Sequence, residues 1–301
     1  MIEVSALDHY FGNFHALKNI SFSVPSGQIT GFIGPNGAGK STTLRVLSGF
    51  LVPMNGEVII DDIPLFKNPM EARERIGYVP EVPQLHREMQ VDEYLNFVAN
   101  LKGISKKVFN IQLDEITTKC GLSKLKKQLI GNLSKGNRQR VALAQAFIGK
   151  PTVLLLDEPM SAMDPVQTMS SRELLKNLSK NTTILISSHI LSEISQLCDH
   201  LILISDGEIK YQGPVSEIYA TSKNGKIVEL NFFSMNDDWA DKVKKLPECT
   251  LISREGSTLQ VEIFDEAVFL QNLFELTAKH HIPLREVASK MHKLESFFRG
   301  N

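Results

Sequence analysis

Residues 34–42 read Gly34-Pro35-Asn36-Gly37-Ala38-Gly39-Lys40-Ser41-Thr42. The stretch fits the pattern G-x-x-x-x-G-K-[ST], follows a predicted strand over residues 28–33 and opens a predicted helix over residues 41–47. Small residues let backbone N–H groups close around phosphate oxygens, and the start of the helix adds partial positive charge. These residues therefore predict a phosphate-binding loop (P-loop), in which Lys40 bridges the β- and γ-phosphates and the Ser41 hydroxyl binds Mg²⁺. A glycine-rich turn that matches by chance is disfavoured because the Lys and the Ser stand in register.

A second stretch, residues 152–158, is an apolar run that ends in two adjacent carboxylates, Asp157 and Glu158. An acid at the C-terminal end of a parallel strand points into the crevice where ligands bind. Asp157 is expected to hold Mg²⁺ through its water shell, and Glu158 to activate the attacking water as a general base. Taken alone, such a run is often only a strand end with solvated charges. The P-loop upstream favours the catalytic interpretation.

Strands and helices alternate around these two stretches. The predicted order after residue 133 is helix 138–148, strand 152–156, helix 167–178, strand 183–186, helix 191–197 and strand 200–204. Strands separated by helices indicate a mostly parallel sheet. Residues 2–24 alternate apolar and polar positions as strands do, and helical spacing over residues 91–122 predicts a helix-rich insert.

A domain boundary is predicted near residues 220–226, which are polar and lack apolar periodicity. The predicted order beyond it is strand 227–233, helix 237–245, strand 249–254, strand 258–264, helix 266–278 and strand 283–287. This βαββαβ order is ferredoxin-like. We therefore expect two domains, 1–220 and 226–301. The side chains expected in the core of the second are Phe232, Phe269, Leu273 and Phe274.

Composition excludes several classes of protein. With 33 Lys and Arg against 34 Asp and Glu, the formal charge is -1, whereas a nucleic-acid-coating protein needs a basic face. No segment approaches the ~20 apolar residues of a membrane span, and the N-terminal residues do not resemble a signal peptide. The Cys residues show no CxxC spacing, which indicates neither a disulfide framework nor a zinc site. We expect a cytoplasmic protein without a nucleic-acid partner.

Three further stretches follow the P-loop in a fixed order. They are Leu133-Ser134-Lys135-Gly136-Asn137-Arg138-Gln139-Arg140, Ser161-Ala162-Met163-Asp164 and Ser187-Ser188-His189. With them, the sequence resembles the ATP-binding subunit of ABC transporters, whose signature (usually LSGGQ), D-loop and H-loop occur in this order. The resemblance covers about residues 1–220 and implies a P-loop NTPase fold of the ABC type. That α/β fold has a mostly parallel core sheet, an antiparallel β subdomain and a helical subdomain at about residues 85–135.

The resemblance also implies roles for single residues. Ser134, Gly136 and Asn137 contact ATP bound to the opposite subunit, His189 senses or positions the γ-phosphate, and Asp164 couples two sites across a dimer. Simpler alternatives stay open, since residues 133–137 can be an ordinary helix N-cap and His189 can cap the next helix. The resemblance therefore implies a second ATP-binding subunit, and we expect a homodimer that binds ATP and Mg²⁺.

Two further residues are predicted to lie near the nucleotide, on sequence signals that are less specific than the P-loop pattern. Phe11 looks like the aromatic residue that stacks on adenine, with Tyr10 as the competing candidate and core packing as the alternative. The place of the Q-loop glutamine is taken by Glu81, a hard oxygen ligand that can still reach Mg²⁺. The signature departs from the usual form as well, with Lys135 in place of Gly and Asn137 in place of Gln.

These departures and the second domain resemble the branch of ABC ATPases that serves drug, antibiotic, polysaccharide and gliding-motility exporters. The stretch Leu294-Glu295-Ser296-Phe297-Phe298 resembles the LEDVF-like ending of that branch. The resemblance implies an integral membrane permease as a separate partner and a location on the inner face of the cell membrane. The permease contact would involve residues 85–125 and the groove near Glu81.

Two alternatives from other classes stay open. Soluble ABC-type ATPases serve DNA repair, ribosomes or cofactor assembly, but the DNA-repair kinds carry coiled-coil or zinc inserts that this sequence lacks. A regulatory subunit that does not hydrolyse ATP would use the altered signature. The presence of Lys40, Asp157, Glu158 and His189 argues against it.

Overall fold

The computed structural model describes residues 1–161, 163, 165–179, 182–190, 194, 197–215, 217, 226–247, 249–263 and 265–290. The chain divides into two compact units, Met1–Val215 and Ser216–Asn301. Asp164, most of the predicted helix over residues 191–197, residues 221–225 and the stretch 294–298 lie outside the described residues. The domain limits predicted from the sequence, 1–220 and 226–301, stay a prediction.

The first unit is built from the following described elements. Its strands are β1 (Ile2–Phe11), β2 (Phe14–Val24), β3 (Ile29–Ile33), β4 (Asn55–Ile60), β5 (Ile63–Pro64), β6 (Ile76–Val79), β7 (Val153–Leu156), β8 (Thr183–Ser188), β9 (His200–Ser205) and β10 (Glu208–Pro214). Its helices are α1 (Lys40–Leu47), α2 (Pro69–Glu74), α3 (Val91–Leu101), α4 (Lys106–Lys119), α5 (Lys135–Phe147) and α6 (Pro165–Ser179), with a 3-10 turn at Ile130–Asn132.

The core sheet has the strand order β10-β9-β3-β8-β7-β6, and all its pairs are parallel except β10 with β9. Every residue of β3, β7 and β8 is buried, as expected for strands covered on both faces. This confirms the predicted mostly parallel sheet. Strands β6 and β10 were not predicted, because β6 contains Gly77 and β10 ends in Gly213 and Pro214, residue types that are depleted in strands.

Close packing against α5 explains why residue 77 is a glycine. A Cβ there would lie 2.4 Å from the backbone oxygen of Ala146, so β6 and α5 approach too closely for any larger residue. The composition of β6 thus reflects helix packing rather than strand propensity, and the sequence pattern alone could not reveal it.

A second sheet, of order β2-β1-β4-β5, is antiparallel throughout. Its buried side chains share one core with α1 and the core sheet, and the rings of Phe22 and Phe32 lie 5.4 Å apart within it. This confirms the antiparallel β subdomain. The two sheets of the first unit are therefore joined by continuous apolar packing.

The helix-rich insert is present as α3 and α4, within the range predicted from apolar spacing. Helix α5 begins at Lys135, three residues before the predicted start, because the Ser134 hydroxyl accepts a hydrogen bond from the Asn137 N–H at 3.2 Å. That N-cap places the signature residues in the first turn of the helix. Among the described residues, no helix has the length and apolar character of a membrane span.

The second unit contains β11 (Lys226–Phe232), α7 (Asp237–Lys244), β12 (Cys249–Glu255), β13 (Thr258–Ile263), α8 (Glu266–Lys279) and β14 (Leu284–Lys290). The strand order is β12-β13-β11-β14, with antiparallel neighbours, which confirms the ferredoxin-like arrangement. Its core holds the predicted Phe232, Phe269 and Leu273.

Phe274 corrects one expectation about that core, because its side chain is 54% exposed. The buried positions of α8 are Phe269, Leu273 and Thr277, which repeat every four residues and form one stripe. Phe274 lies one residue beyond Leu273, about 100° further around the helix, and so faces away from that stripe. Apolar character alone was a poor guide at this position.

The contrast between Phe269 and Phe274 gives a matched stability test on one helix. We expect Phe269→Ala to lower the free energy of unfolding of the second unit by about 3–5 kcal/mol, because it leaves a cavity in the core. We expect Phe274→Ala to change it by less than about 1 kcal/mol. The fluorescence of Trp239, the single Trp of the chain, reports unfolding of this unit because it packs against the same core. Equal effects of the two substitutions would contradict the packing described.

Candidate functional site

The carboxyl ends of the parallel strands meet at one edge of the core sheet, and the predicted site residues follow those ends. The P-loop follows β3, Asp157 and Glu158 follow β7, and His189 follows β8. Glu81 stands two residues after β6 and is exposed. Ligands of open parallel sheets bind at this edge.

Backbone geometry explains the glycines of the P-loop. Gly39 has φ 110° and caps the start of α1, in a left-handed conformation that favours glycine. A Cβ at Gly34 would lie 2.2 Å from the backbone oxygen of Ile204 in β9, so the loop can turn there only without a side chain. Asn36 and Gly37 are exposed at the tip, where their backbone is open to a ligand.

Lys40 is the central charge of the site, and its side chain is only 6% exposed. Its Nζ donates to the backbone oxygens of Gly34 at 2.8 Å and Pro35 at 3.1 Å, and lies 3.8 Å from Oε1 of Glu158. Burial lowers the pKa of the Lys40 ammonium, and the negative charges of Glu158, Asp157 and Glu81 oppose that shift. The P-loop cation and the strand-end carboxylates thus form one electrostatic unit.

Ser187, the penultimate residue of β8, joins the two carboxylate positions. Its Oγ donates to Oδ1 of the buried Asp157 at 2.6 Å and accepts from the Glu158 N–H at 2.9 Å. The Asp157 N–H in turn donates to the backbone oxygen of Val79, which continues the β6–β7 ladder. Sequence analysis did not assign Ser187 a role. The signal available was a hydroxyl just before His189 on a neighbouring strand.

Glu158 and His189 form a second pair at this edge. Both carboxylate oxygens of Glu158 lie 3.0 Å from Nδ1 of His189, and the Glu158 side chain is 10% exposed. Glu158 also has φ 47°, a left-handed conformation that is uncommon for a residue with a side chain. Backbone strain of this kind is concentrated at functional sites. The Glu158 carboxylate therefore lies beside the P-loop, where the His189 imidazole orients it as a base.

The signature residues lie in the first turn of α5 and make different contacts. Gly136 is buried, and a Cβ there would lie 2.3 Å from Oε1 of Gln167 in α6. Ser134 and Lys135 are exposed. Within the described ranges, no hydrogen bond or ion pair joins Ser134, Gly136 or Asn137 to the P-loop or the strand-end carboxylates. Ser134 is therefore an ordinary N-cap of α5 in this structure, and its contact with a nucleotide stays a prediction.

Aromatic packing separates the two candidates for adenine stacking. The Tyr10 ring is stacked on His15 at 3.9 Å with an interplanar angle of 12°. Phe11 is 46% exposed and contacts His9 only through a T-shaped arrangement at 4.7 Å. One face of Phe11 is thus more readily available to a planar ligand. Its role in binding stays a prediction.

Comparison with known proteins identifies the family of this site. The profile described as ABC transporter matches residues 17–161. The bacitracin transport ATP-binding protein BcrA of Bacillus licheniformis is 37% identical over 238 residues, which cover 78% of this chain and 76% of that protein. The chain belongs to the family of ABC transporter ATP-binding proteins. Like that family, it is an ATPase.

Solved structures of ABC cassettes agree with this assignment. The cbiO1 protein of Clostridium perfringens, part of the ABC transporter complex cbiONQ, is 30% identical with a TM-score of 0.68, covering 74% of this chain and 91% of that chain. The dimeric structure of MJ0796, a bacterial ABC transporter cassette, is 26% identical with a TM-score of 0.65, covering 71% and 99%. These likenesses confirm the predicted ABC-type fold.

The contacts of Ser187 give a test of the site with a neighbour as its control. We expect Ser187→Ala to lower the ATPase rate by about tenfold or more, because Asp157 loses a buried hydrogen bond worth about 1.5–3 kcal/mol. Ser188→Ala removes an adjacent hydroxyl whose hydrogen bonds, within the described residues, are to Ile190, and should change the rate less than about threefold. Steady-state phosphate release measures both rates. A Ser187→Ala variant as active as the native chain would exclude the positioning role.

Proposed function

We propose that this ABC ATPase hydrolyses Mg²⁺-ATP as one half of a homodimer and powers export through a separate membrane permease. The convergence of Lys40, Asp157 and the Glu158–His189 pair at one sheet edge carries the proposal. A buried cation beside a phosphate-binding loop and a carboxylate beside an imidazole are the groups that phosphoryl transfer to water requires.

The residues present fit a magnesium ion. Mg²⁺ prefers oxygen ligands, and the Ser41 hydroxyl of α1 and the buried carboxylate of Asp157 supply such oxygens at the same sheet edge. Glu81, whose charge reaches Lys40, is the third candidate. When bound, the ion would neutralise developing charge on the phosphates.

Residues of this chain bind the nucleotide and activate the attacking water. Lys40 and the P-loop backbone hold the β- and γ-phosphates, and Phe11 stacks on adenine. Glu158 accepts a proton from the attacking water, while His189 holds the Glu158 carboxylate and stands near the γ-phosphate. Positioning and charge neutralisation account for most of the rate in reactions of this kind.

The second subunit completes the site in this proposal. Ser134, Gly136 and Asn137 would contact the γ-phosphate bound to the partner, and Asp164 would couple the two sites. The exposed N-terminus of α5 supports this role, since helix N-termini favour anions. Likeness to a dimeric cassette supports the stoichiometry. Such an arrangement makes ATP part of the contact between the subunits.

Coupling to a permease is supported by the relatives and by one exposed apolar residue. BcrA is named for the transport of bacitracin, and cbiO1 is part of a transporter complex. Val82, next to Glu81, is 68% exposed and is therefore open to contact by a partner. We place the subunit on the inner face of the membrane, with the permease contact near Glu81 and in the insert, and the direction as export.

Glu158→Gln tests the catalytic assignment. We expect this variant to hydrolyse ATP at least about 100-fold more slowly, because an amide cannot act as the general base. It should elute from size-exclusion chromatography as a dimer stabilised by Mg²⁺-ATP. Glu71→Gln, an exposed substitution on α2, serves as the control and should match the native chain. A Glu158→Gln variant that hydrolyses ATP normally would contradict the assignment, and one that stays monomeric would contradict the homodimer.

Ser41→Ala tests the magnesium assignment. Loss of a hydroxyl ligand should raise the Mg²⁺ concentration for half-maximal hydrolysis by about tenfold, and chelation of Mg²⁺ should stop hydrolysis of the native chain. The matched control is Ser48→Ala at the end of the same helix, whose hydroxyl donates to the Arg45 backbone oxygen and to no other group of the described residues. An unchanged Mg²⁺ requirement in Ser41→Ala would remove this residue from the site.

Val82→Asp tests the permease contact. In the source cells, we expect the native chain to stay with the membrane fraction and Val82→Asp to move to the soluble fraction, because a charge disrupts an apolar contact. Met169→Asp alters a similarly exposed residue on α6 and should stay with the membrane. Equal membrane association of all three chains would contradict the proposed contact.

Substrate uptake by inverted membrane vesicles on addition of ATP would confirm export. If the vesicles take up no substrate but intact cells do, the direction of transport is import.

A further inference from the structure

A cavity of about 290 Å³ lies at the other end of β7 from the catalytic carboxylates. Its walls come from α4, from the turn that joins α5 to β7, and from the C-terminal part of α6. Thr152, which precedes β7, lines it, whereas Asp157 follows that strand. At about 3.3 Å per strand residue the two positions are roughly 16 Å apart, so the cavity is distinct from the nucleotide site.

One side of the cavity is apolar. Ile116, Cys120 and Leu178 are buried side chains that line it together with Phe147. Burial raises the pKa of the Cys120 thiol to about 12, so the thiol stays protonated at neutral pH. This wall offers van der Waals contact to a ring or an alkyl chain, and no nucleophile.

The charged side chains of the cavity leave a net positive charge. Nζ of Lys119 lies 2.7 Å from Oε1 of Glu115, the single acid among the lining residues. Within the described part of the chain, the Lys150 ammonium has neither a hydrogen bond nor an ion pair. The hydrogen bond from Lys119, and less strongly the charge of Lys150, lower the pKa of Glu115, which places the Lys150 cation within electrostatic reach of the cavity.

A polar group of the lining also lacks a partner. The side-chain amide oxygen of Gln112 is buried and accepts no hydrogen bond from the described residues. Its oxygen has almost no accessible surface, so a ligand in the cavity reaches it only if the Gln112 side chain changes rotamer. The cavity as it stands therefore combines an apolar wall and one available cation.

We propose that this cavity binds a small aromatic carboxylic acid. The ring packs against the apolar wall, and the carboxylate pairs with Lys150. The volume is at the lower end of the range of ligand pockets, about 300–1,000 Å³, which limits the ligand to one or two rings. An occupant contacts α4 of the helical insert and α6 together, and so links two parts of the first unit.

Calorimetric titration of the full chain with indole-3-acetate tests the proposal, with indole-3-acetamide as a probe of the same shape without charge. We expect the acid to bind at least about tenfold more tightly than the amide, and Lys150→Glu to remove that difference. Lys124→Glu changes an exposed charge that does not line the cavity and should leave binding unchanged. Equal affinity for both probes, or an effect of Lys124→Glu as large as that of Lys150→Glu, would overturn the assignment of an acid.

A second pair of variants tests the location. Asn177 is an exposed lining residue, so Asn177→Trp should block the entrance and abolish binding of both probes without disturbing the core. Lys176→Trp places the same side chain one residue away, outside the lining, and should leave binding intact. Absence of binding to the native chain, or binding that survives Asn177→Trp, would overturn the site. Calorimetry requires no ATP hydrolysis, so this outcome is independent of the proposed transport function.

Discussion

The buried ammonium of Lys40 is the constraint on which the site depends. A charge with so little exposure is stable only where hydrogen bonds and opposite charges replace its hydration. Two backbone oxygens of its own loop and the Glu158 carboxylate at 3.8 Å provide this compensation. The loop before α1 and the end of β7 must therefore stay in register, because a shift of either would leave a charge buried without a partner.

The parallel sheet maintains that register through backbone pairing. β7 pairs with β6 on one side and β8 on the other, and β8 pairs with β3, which leads into the P-loop. Ser187, in β8, then holds the Asp157 carboxylate in place through a side-chain hydrogen bond. Since Glu158 is held in a left-handed conformation, the rigid strands around it are what keep its carboxylate beside Lys40 and His189.

Much of this site could be predicted because its chemistry lies in local sequence. The P-loop pattern and the adjacent carboxylates Asp157 and Glu158 can be recognised from residue type and spacing alone. The alternation of strands and helices then predicts that both lie at one edge of the sheet. Ser187 could not be found in this way, because its role arises from pairing between strands that are distant in sequence. The same holds for β6, whose Gly77 is dictated by the approach of α5. Phe274 shows the converse, an apolar residue whose exposure follows from helix phase rather than from composition.

The central claim is that Glu158 and His189 act as one unit, and a double-mutant cycle tests it most directly. Single-turnover ATP hydrolysis would be measured for the native chain, Glu158→Gln, His189→Ala and the double variant, so that product release does not hide the chemical step. The account predicts that the double variant is no slower than the slower single variant, because removing either group already disables the pair. Effects that multiply in the double variant would show that the two side chains act independently, and would contradict the account.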